Sequence, residues 1–310
     1  MSLAALQRWG TAVAFVLLCA GFAAAAPDAF ASWANLANLL QQVATLAIVA
    51  AAATLVMVIG EFDLSIGFIA SLSAVLCVAL FGEQLGVVPA LAAGMVAALA
   101  GGAINGVLVA AFAVPSFVAT LANGTILGGI AYWASGGASL FQGVPDGFKA
   151  LARGDVAGIP TLAWWMAAVL LAVAFLLART EFGRRLHAIG SNREAARLAG
   201  LPIVQDRILA FVLSGGLAGL AGLLLAARLG SVQHTMGDPL LLPAYAAVFL
   251  GTTASPTGTP TVAGTFLGVA IAGVLANGLT IVGVEPFVQK MLTGAIIIAA
   301  VLVRRLGRPS

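Results

Sequence analysis

The chain has 310 residues, of which 62% are hydrophobic and 8% charged, and its formal net charge is +3 at pH 7. Its mean hydropathy is +1.10. This number of charged residues is too small to form the polar shell of a soluble domain. The composition therefore excludes a soluble protein and predicts a polytopic membrane protein. Cys19 and Cys77 both lie within apolar runs, where packing is expected rather than a disulfide or a metal site.

Apolar runs close to the ~20 residues that a membrane helix needs recur along the chain. The first run resembles a secretory signal, but we interpret it as an uncleaved span because many further spans follow. Glycine, proline and charged breaks predict ten spans, at residues 8 to 26, 38 to 60, 64 to 82, 86 to 112, 115 to 135, 160 to 178, 207 to 229, 240 to 254, 260 to 282 and 286 to 303. The eighth is short, and a half-helix or a re-entrant segment would also fit it.

Cationic residues favour the cytoplasmic side of a membrane. Arg8, six arginines between 179 and 207, and three between 304 and 308 make up ten of the fourteen lysines and arginines. With these regions in the cytoplasm and an even number of spans, six acidic residues are external: Asp28, Glu83, Asp146, Asp155, Asp238 and Glu285. The sequence therefore predicts an all-α bundle of about ten spans with both termini cytoplasmic.

The sequence also contains an internal similarity. The segment GGAINGVLVAAFAVPSFVATLANGTIL (101 to 127) resembles IAGVLANGLTIVGVEPFVQKMLTGAIII (271 to 298), which pairs Asn105 with Asn277 and Pro115 with Pro286. In the predicted topology the two copies enter from opposite sides, as in transporters built from inverted repeats, although two Gly-rich helices can also be alike by chance. Residues 1–310 would then form one transmembrane domain, with a first repeat at about 38–135 and a second at about 207–303.

The stretch GEFDLSIGF, residues 60 to 68, places Glu61 and Asp63 between two apolar runs. A charge at the bilayer centre costs on the order of 2.5 to 3.5 kcal/mol, so these acids mark a break between spans. We expect Asp63 to cap the next helix and Glu61 to lie in a water-filled vestibule; a site for an ion is the alternative. The candidates for the translocation pathway or its hinge are Glu61, Asp63, Ser65, Asn105, Pro115 and Asn277, although hydrogen bonding between helices explains the polar ones equally well.

A polar segment, TEFGRRLHAIGSNREAARLAGLPI, occupies most of the cytoplasmic loop predicted at 179–207. Ser191 and Glu194 form a Ser-x-x-Glu capping box, and Gly200 followed by proline ends the helix. In the turns between them Glu194 can pair with Arg197.

One face of this short helix carries Ala195, Leu198 and Ala199, at spacings of three and four residues. Such a face suits docking into the groove of a partner. A surface helix in an ordinary basic loop has the same pattern and remains the alternative.

The string GRRLHAIGSNREAARLAGLPI resembles the cytoplasmic coupling loop of permease subunits of ATP-binding-cassette importers for ribose and related monosaccharides, a family similar to branched-chain amino acid permeases. Three more blocks agree in order and spacing: GEFDLSIG at 60–67, GGAINGVLVAAFAVPSFVATLANG at 101–124 and ANGLTIVGVEPFVQKMLTGAIIIAAVLVRR at 276–305. The resemblance implies a bacterial inner-membrane protein that pairs with a second permease copy, two cytoplasmic ATPases and a periplasmic or surface substrate-binding protein. It maps the ATPase contact onto Arg193, Glu194, Ala195, Ala196, Arg197 and Gly200.

The chain departs from the family pattern at Gly128 and Gly129, where the family usually has Arg-Gly, and at Thr257 and Pro260, where glycines are common. Both turns adjoin the expected pathway, so the substrate is open. A monosaccharide or polyol is expected first, and branched-chain amino acids, nucleosides or a furanose signal are alternatives. An ion-coupled secondary transporter or channel, using Glu61 and Asp63, is the alternative of another class, and a span bundle without transport is the third.

The two lysines, Lys149 and Lys290, lie outside any G-x-x-x-x-G-K-[ST] setting, so the chain has no phosphate loop of its own. No catalytic triad or metal-ligand spacing is present either, and we predict that the chain is not an enzyme. It should need no cofactor, because ATP and Mg would bind to a partner ATPase. Membrane lipid is its expected surrounding, and nothing points to nucleic acid.

Overall fold

The computed structural model describes residues 3–255, 258–292, 294–295 and 298. Its elements in chain order are α1 (Leu3–Ala25), α2 (Pro27–Phe30), α3 (Trp33–Val58), α4 (Ile66–Gly82), α5 (Val87–Ala110), α6 (Ser116–Ser135), α7 (Asp146–Lys149), β1 (Asp155–Val156), β2 (Ile159–Pro160), α8 (Thr161–Arg179), α9 (Glu181–Ser191), α10 (Arg193–Leu198), α11 (Ile203–Leu229), α12 (Asp238–Thr253) and α13 (Val262–Ile281). Residues 286 to 292 are also helical. The strands β1 and β2 form a two-residue antiparallel hairpin.

Six helices in the described part are long and apolar enough to cross a membrane: α3, α5, α6, α8, α11 and α13. Residues Gly10–Ala25 of α1 and the whole of α4 are shorter apolar helices. The predicted all-α membrane bundle is therefore confirmed. The eighth predicted span is the 16-residue helix α12, which contains Pro243. Most of residues 293 to 303, the larger part of the tenth predicted span, lies outside the described residues.

Helix α3 lies at the centre of the bundle. Its run from Ala47 to Ala53 has no exposed surface, because alanine side chains allow neighbouring helices to approach its backbone closely. Near its C-terminal end, Thr54 of α3 is hydrogen-bonded to Thr265 of α13, with the two hydroxyl oxygens 2.8 Å apart. In its N-terminal half, the Gln41 carbonyl oxygen accepts from Arg228 of α11 at 3.2 Å. A helix that is apolar on all sides is expected in such a position.

Glycine allows the backbones of α4 and α11 to approach closely. Gly222 of α11 faces the backbone of Ala70 so closely that an added Cβ atom would overlap the Ala70 carbonyl oxygen. Gly190 of α9 meets the carbonyl oxygen of Val58 in the same way, which places the cytoplasmic loop predicted at 179–207 directly against the end of α3. These contacts fix the position of the turn that follows α3.

We predict that Gly222→Ala destabilises the bundle by about 2 kcal/mol, because the new methyl group must push two helix backbones apart. The measurement is the thermal unfolding midpoint of the detergent-purified protein. Gly129→Ala is the matched control, since no heavy atom lies within 4 Å of the Cβ position at this helical glycine. Equal midpoints for the two variants would contradict the close packing of α4 on α11.

Candidate functional site

Glu61 and Asp63 both lie in the turn between α3 and α4, residues 59 to 65, where the helical backbone is interrupted. Gly60 opens it with φ of +78°, a left-handed conformation that glycine adopts without strain. Side chains satisfy the four backbone N–H groups from Phe62 to Ser65: Phe62 N donates to Ser116 Oγ (3.3 Å), Asp63 N to Tyr245 OH (2.7 Å), Leu64 N to Thr120 Oγ1 (2.9 Å) and Ser65 N to Asp63 Oδ1 (3.0 Å). The turn is therefore held by α6 and α12.

Asp63 is fully buried and is surrounded by neutral donors. We call this group the Asp63 cluster: Asp63, Ser65, Asn105, Asn123, Ser214 and Tyr245. Asp63 Oδ1 accepts from Ser65 Oγ at 2.6 Å and from Asn105 Nδ2 at 3.2 Å, and Ser214 Oγ lies 3.4 Å from Oδ2. Asn123 Nδ2 donates to Asn105 Oδ1 at 2.8 Å. Among the described residues no cationic side chain contacts Asp63, so hydrogen bonds alone compensate the burial of its carboxyl group.

The predicted cap formed by Asp63 is wrong in position. Helix α4 begins at Ile66, and its N-cap residue is Ser65, whose side chain makes no capping bond. Asp63 instead accepts from Ser65 N and closes the turn before the helix. An Asp side chain readily accepts from the backbone N–H group two residues further on, which here is that of Ser65, as in an Asx-turn.

Glu61 lies in a charged group that we call the Glu61 cluster: Glu61, Arg193 and Arg207. Its Oε1 atom accepts from Arg193 Nη2 at 2.6 Å and from Arg207 Nη2 at 2.5 Å. The side chains of Glu61 and Arg207 are 11% and 9% exposed, whereas that of Arg193 is 47% exposed. The expected water-filled vestibule around Glu61 is therefore wrong, because two guanidinium groups and protein occupy its surroundings. The two guanidinium groups also occupy the Glu61 carboxylate, which an ion-coupled transporter would need for its coupling ion.

The Glu61 cluster joins three parts of the chain. Arg193 is the first residue of α10, Arg207 lies in the second turn of α11, and Glu61 belongs to the turn after α3. One carboxylate thus faces two guanidinium groups, which leaves the cluster with an excess positive charge. Arg207 Nε is buried without a hydrogen-bond partner in the described part of the chain.

The predicted capping box is wrong at its first residue. Helix α9 continues through Ser191, and the N-cap of α10 is Asn192, whose side chain accepts from Ala195 N at 3.0 Å. Asparagine caps helices as well as serine does, and Asn192 has the extended backbone that a cap requires. The helix ends at Leu198, and Gly200, the predicted stop, follows the C-cap residue Ala199 with φ of +76°.

The predicted pair between Glu194 and Arg197 is confirmed. It is bidentate, with Arg197 Nη2 2.5 Å from Glu194 Oε1 and Nε 3.0 Å from Oε2. The hydrogen bonds that Arg197 donates to the Glu194 carboxylate raise the pKa of Arg197. Both side chains are exposed, so the pair orders the surface of α10 and contributes little to stability.

Helix α10 turns most of its surface away from the bundle. Of its six residues, all of them described, Ala196 alone is buried. The face predicted from spacing, Ala195, Leu198 and Ala199, is exposed, and Leu198 is 78% exposed. We call these three residues the α10 face, and nothing in the described part of this chain covers it.

Helix α9 anchors this loop to the bundle. It buries Leu186 and Ile189, and Arg185 binds Asp206 of α11 through two hydrogen bonds of 2.7 and 3.0 Å. Those bonds to the Asp206 carboxylate raise the pKa of Arg185. The anchored α9 therefore positions α10 beside the Glu61 cluster.

The structure brings together most, but not all, of the candidates for the pathway or hinge. Glu61, Asp63, Ser65 and Asn105 lie in or beside the turn, and Pro115 precedes Ser116, which accepts from it. Asn277 lies elsewhere: it exchanges two side-chain hydrogen bonds, of 3.1 and 2.9 Å, with Asn35 of α3.

Sequence analysis missed the partners that other helices supply: Arg207, Tyr245, Ser214, Asn123, Thr120 and Ser116. One of them carried a signal. Arg207 stands close to the start of an apolar helix, where an arginine requires an anionic partner, but the sequence does not indicate which acid that partner is. The remaining residues are ordinary hydroxyl and amide side chains in apolar helices.

No group of three or more His, Cys, Asp or Glu side chains in the described part of the chain could hold a metal ion. A small cavity lies between α12 and α13 and is lined by apolar residues, with Gln289 at its edge. It lacks the convergent polar groups of a ligand site. The Glu61 and Asp63 clusters, by contrast, each bring together polar side chains from several helices.

Comparison with known proteins identifies the class to which these features belong. The family model described as "Branched-chain amino acid transport system / permease component" matches residues 35–301. The chain is 35% identical to the ribose import permease protein RbsC of Escherichia coli K12 over 94% of this chain and 91% of that protein. It is 38% identical to RbsC of Bacillus subtilis over 87% of this chain and 84% of that protein.

A third relative is the L-arabinose ABC transporter permease protein AraH of Azospirillum brasilense, which is 33% identical over 96% of this chain and 87% of that protein. No solved structure matches the chain significantly. Because the family model and these relatives each extend along most of the sequence, the chain belongs to the family of ATP-binding-cassette importer permeases described as the branched-chain amino acid transport system permease component.

Proposed function

We propose that this chain is the membrane-spanning subunit of an importer that translocates a monosaccharide or related polyol. The relatives named for ribose and L-arabinose import, each aligned over most of this chain, support this substrate class. The chain is a permease and not an enzyme, and ATP hydrolysis takes place in a separate subunit. Permeases of this family need no cofactor of their own.

The proposed mechanism rests on one observation: α10 exposes an apolar face and lies next to the Glu61 cluster, which connects it to the bundle. A face of small residues with one exposed leucine suits the groove of a partner protein. The Glu194–Arg197 pair orders the adjacent surface, and Gly200 ends the helix so that the chain turns directly into α11. We infer that α10 is the ATPase contact, formed by Glu194, Ala195, Ala196, Arg197 and Gly200. Arg193, which was predicted with them, binds Glu61 of the bundle instead.

The partners follow from this assignment. Two cytoplasmic ATPases, each binding ATP and Mg²⁺, would contact two permease copies, which are identical or related, and a periplasmic or surface protein would deliver the sugar. The location would be the inner membrane of a bacterium. Closure of the ATPase pair would then move α10 and switch the bundle between outward and inward openings.

Several contacts support the alternating helix directions of the ten-span topology, and the cationic loops favour its orientation with both termini in the cytoplasm. In this topology Asn35 and Asn277 both lie at external helix ends, and they are hydrogen-bonded. Thr54 and Thr265 both lie towards the cytoplasm, and they are also paired. The external ends of α3 and α11 meet where Arg228 donates to the Gln41 carbonyl group.

The inverted repeat remains a proposal. Asn105 and Asn277 both form amide hydrogen bonds between helices, and Pro115 and Pro286 both precede helical residues. These shared features support equivalent positions in two halves, at about 38–135 and 207–303, joined by the loop at 179–207.

We expect uptake of ribose or L-arabinose to require ATP. We also expect an ATPase subunit to co-purify with this chain. The measurement is radiolabelled sugar uptake by cells that express the complete transporter, together with the stoichiometry of proteins captured by a tag on this chain. Uptake should stop when ATP is depleted and continue when a protonophore collapses the proton gradient. Uptake that follows the proton gradient, with no ATPase captured, would overturn the proposal.

We expect Ala195→Trp to lower ATPase capture and sugar uptake by about tenfold, because a large side chain on the α10 face blocks the groove contact. Ala188→Trp is the matched control, since Ala188 is an exposed alanine of α9 in the same loop. Both variants should reach the membrane at the level of the unchanged protein, as quantified by immunoblot. Full capture and uptake by Ala195→Trp would show that the ATPase binds elsewhere.

A further inference from the structure

We propose that Glu61 transmits the movement of α10 to the bundle through its pair with Arg193, which opens and closes during transport while its pair with Arg207 persists. This proposal rests on the proposed function, because it needs an ATPase that acts on α10. It makes Glu61 and Arg193 positioning residues for translocation and assigns them a role distinct from ATPase docking.

The two ion pairs differ in how easily they can break. Arg193 is about half exposed, so water can solvate its guanidinium group as soon as it leaves Glu61. Arg207 is buried, and its separation from Glu61 would leave two unpaired charges inside protein, which is strongly unfavourable. The pair with Arg193 is therefore the exchangeable one.

The charge balance favours the same order of events. With both arginines in place, one carboxylate compensates two guanidinium groups that repel each other. When Arg193 leaves, Glu61 and Arg207 remain as a neutral pair, so the opened state contains no uncompensated buried charge. Two arrangements of the cluster are thus accessible, as a switch requires.

The turn that carries Glu61 can pass a displacement on to four helices. It follows the end of α3 directly, and its backbone is hydrogen-bonded to Ser116 and Thr120 of α6 and to Tyr245 of α12. Two residues beyond Glu61, Asp63 contacts Asn105 of α5 and Ser214 of α11. A shift of Glu61 with α10 would move this turn against all four helices at once.

The test is the ratio of sugar transported to ATP hydrolysed, measured on the complete transporter reconstituted in vesicles. For Arg193→Gln we expect this ratio to fall about tenfold, within the range typical of coupling between two sites. ATPase capture and ATP hydrolysis should stay within about twofold of the unchanged protein, because a half-exposed ion pair contributes little to assembly. Arg193→Lys keeps the charge and should recover most of the ratio.

Arg184→Gln is the matched control, because Arg184 is an exposed arginine of the same loop on α9. Its ratio should equal that of the unchanged protein. An unchanged ratio for Arg193→Gln, or a loss of ATPase capture equal to its loss of transport, would overturn the proposal. If the unchanged transporter itself hydrolyses no ATP during uptake, the proposed function fails instead.

A second pair of variants addresses folding. Glu61→Gln leaves Arg207 buried without an anion, so we expect a large loss of protein from the membrane. Adding Arg207→Gln removes that unpaired charge and should restore the membrane level while the transport ratio stays low. A double variant that regains the full transport ratio would show that Glu61 is merely structural.

Discussion

The turn between α3 and α4 has to satisfy its backbone hydrogen bonds inside an apolar bundle, and the arrangement of the surrounding helices depends on this requirement. Backbone that leaves the helical conformation within a bundle cannot obtain hydrogen bonds from lipid, so protein must supply them. Here Ser116, Thr120 and Tyr245 do so from two helices, and Asp63 supplies the fourth. The polar side chains of α6 and α12 thereby specify where these helices stand relative to α3.

Close packing then makes the turn rigid. Gly190 brings α9 against the end of α3, and Gly222 brings α11 against α4. Because packed backbones cannot be compressed, a displacement at one side of this unit moves the other side instead of being absorbed. The loop at 179–207, the turn and the core of the bundle are therefore mechanically connected.

The class of fold and the ends of the main helices could be predicted from sequence because they depend on local apolar runs and their glycine and proline breaks. The Glu194–Arg197 pair was also predictable, since it lies within one helical turn. Glu61 was not, because its partners are separated from it by 132 and 146 residues. The capping errors at Asp63 and Ser191 have a different cause: neighbouring residues competed for the same cap, and the backbone conformation decided between them.

Two acids separated by one residue have opposite surroundings, and the difference assigns them different tasks. Asp63 has a short side chain that accepts from neutral donors of its own turn and two helices, so moving it would break several hydrogen bonds at once. Glu61 has a longer side chain that reaches two arginines outside the turn, of which Arg207 is buried and Arg193 is half exposed. The same turn thus combines two features. Asp63 attaches it to the surrounding helices, and Glu61 connects it to α10 through the ion pair that we propose to be exchangeable.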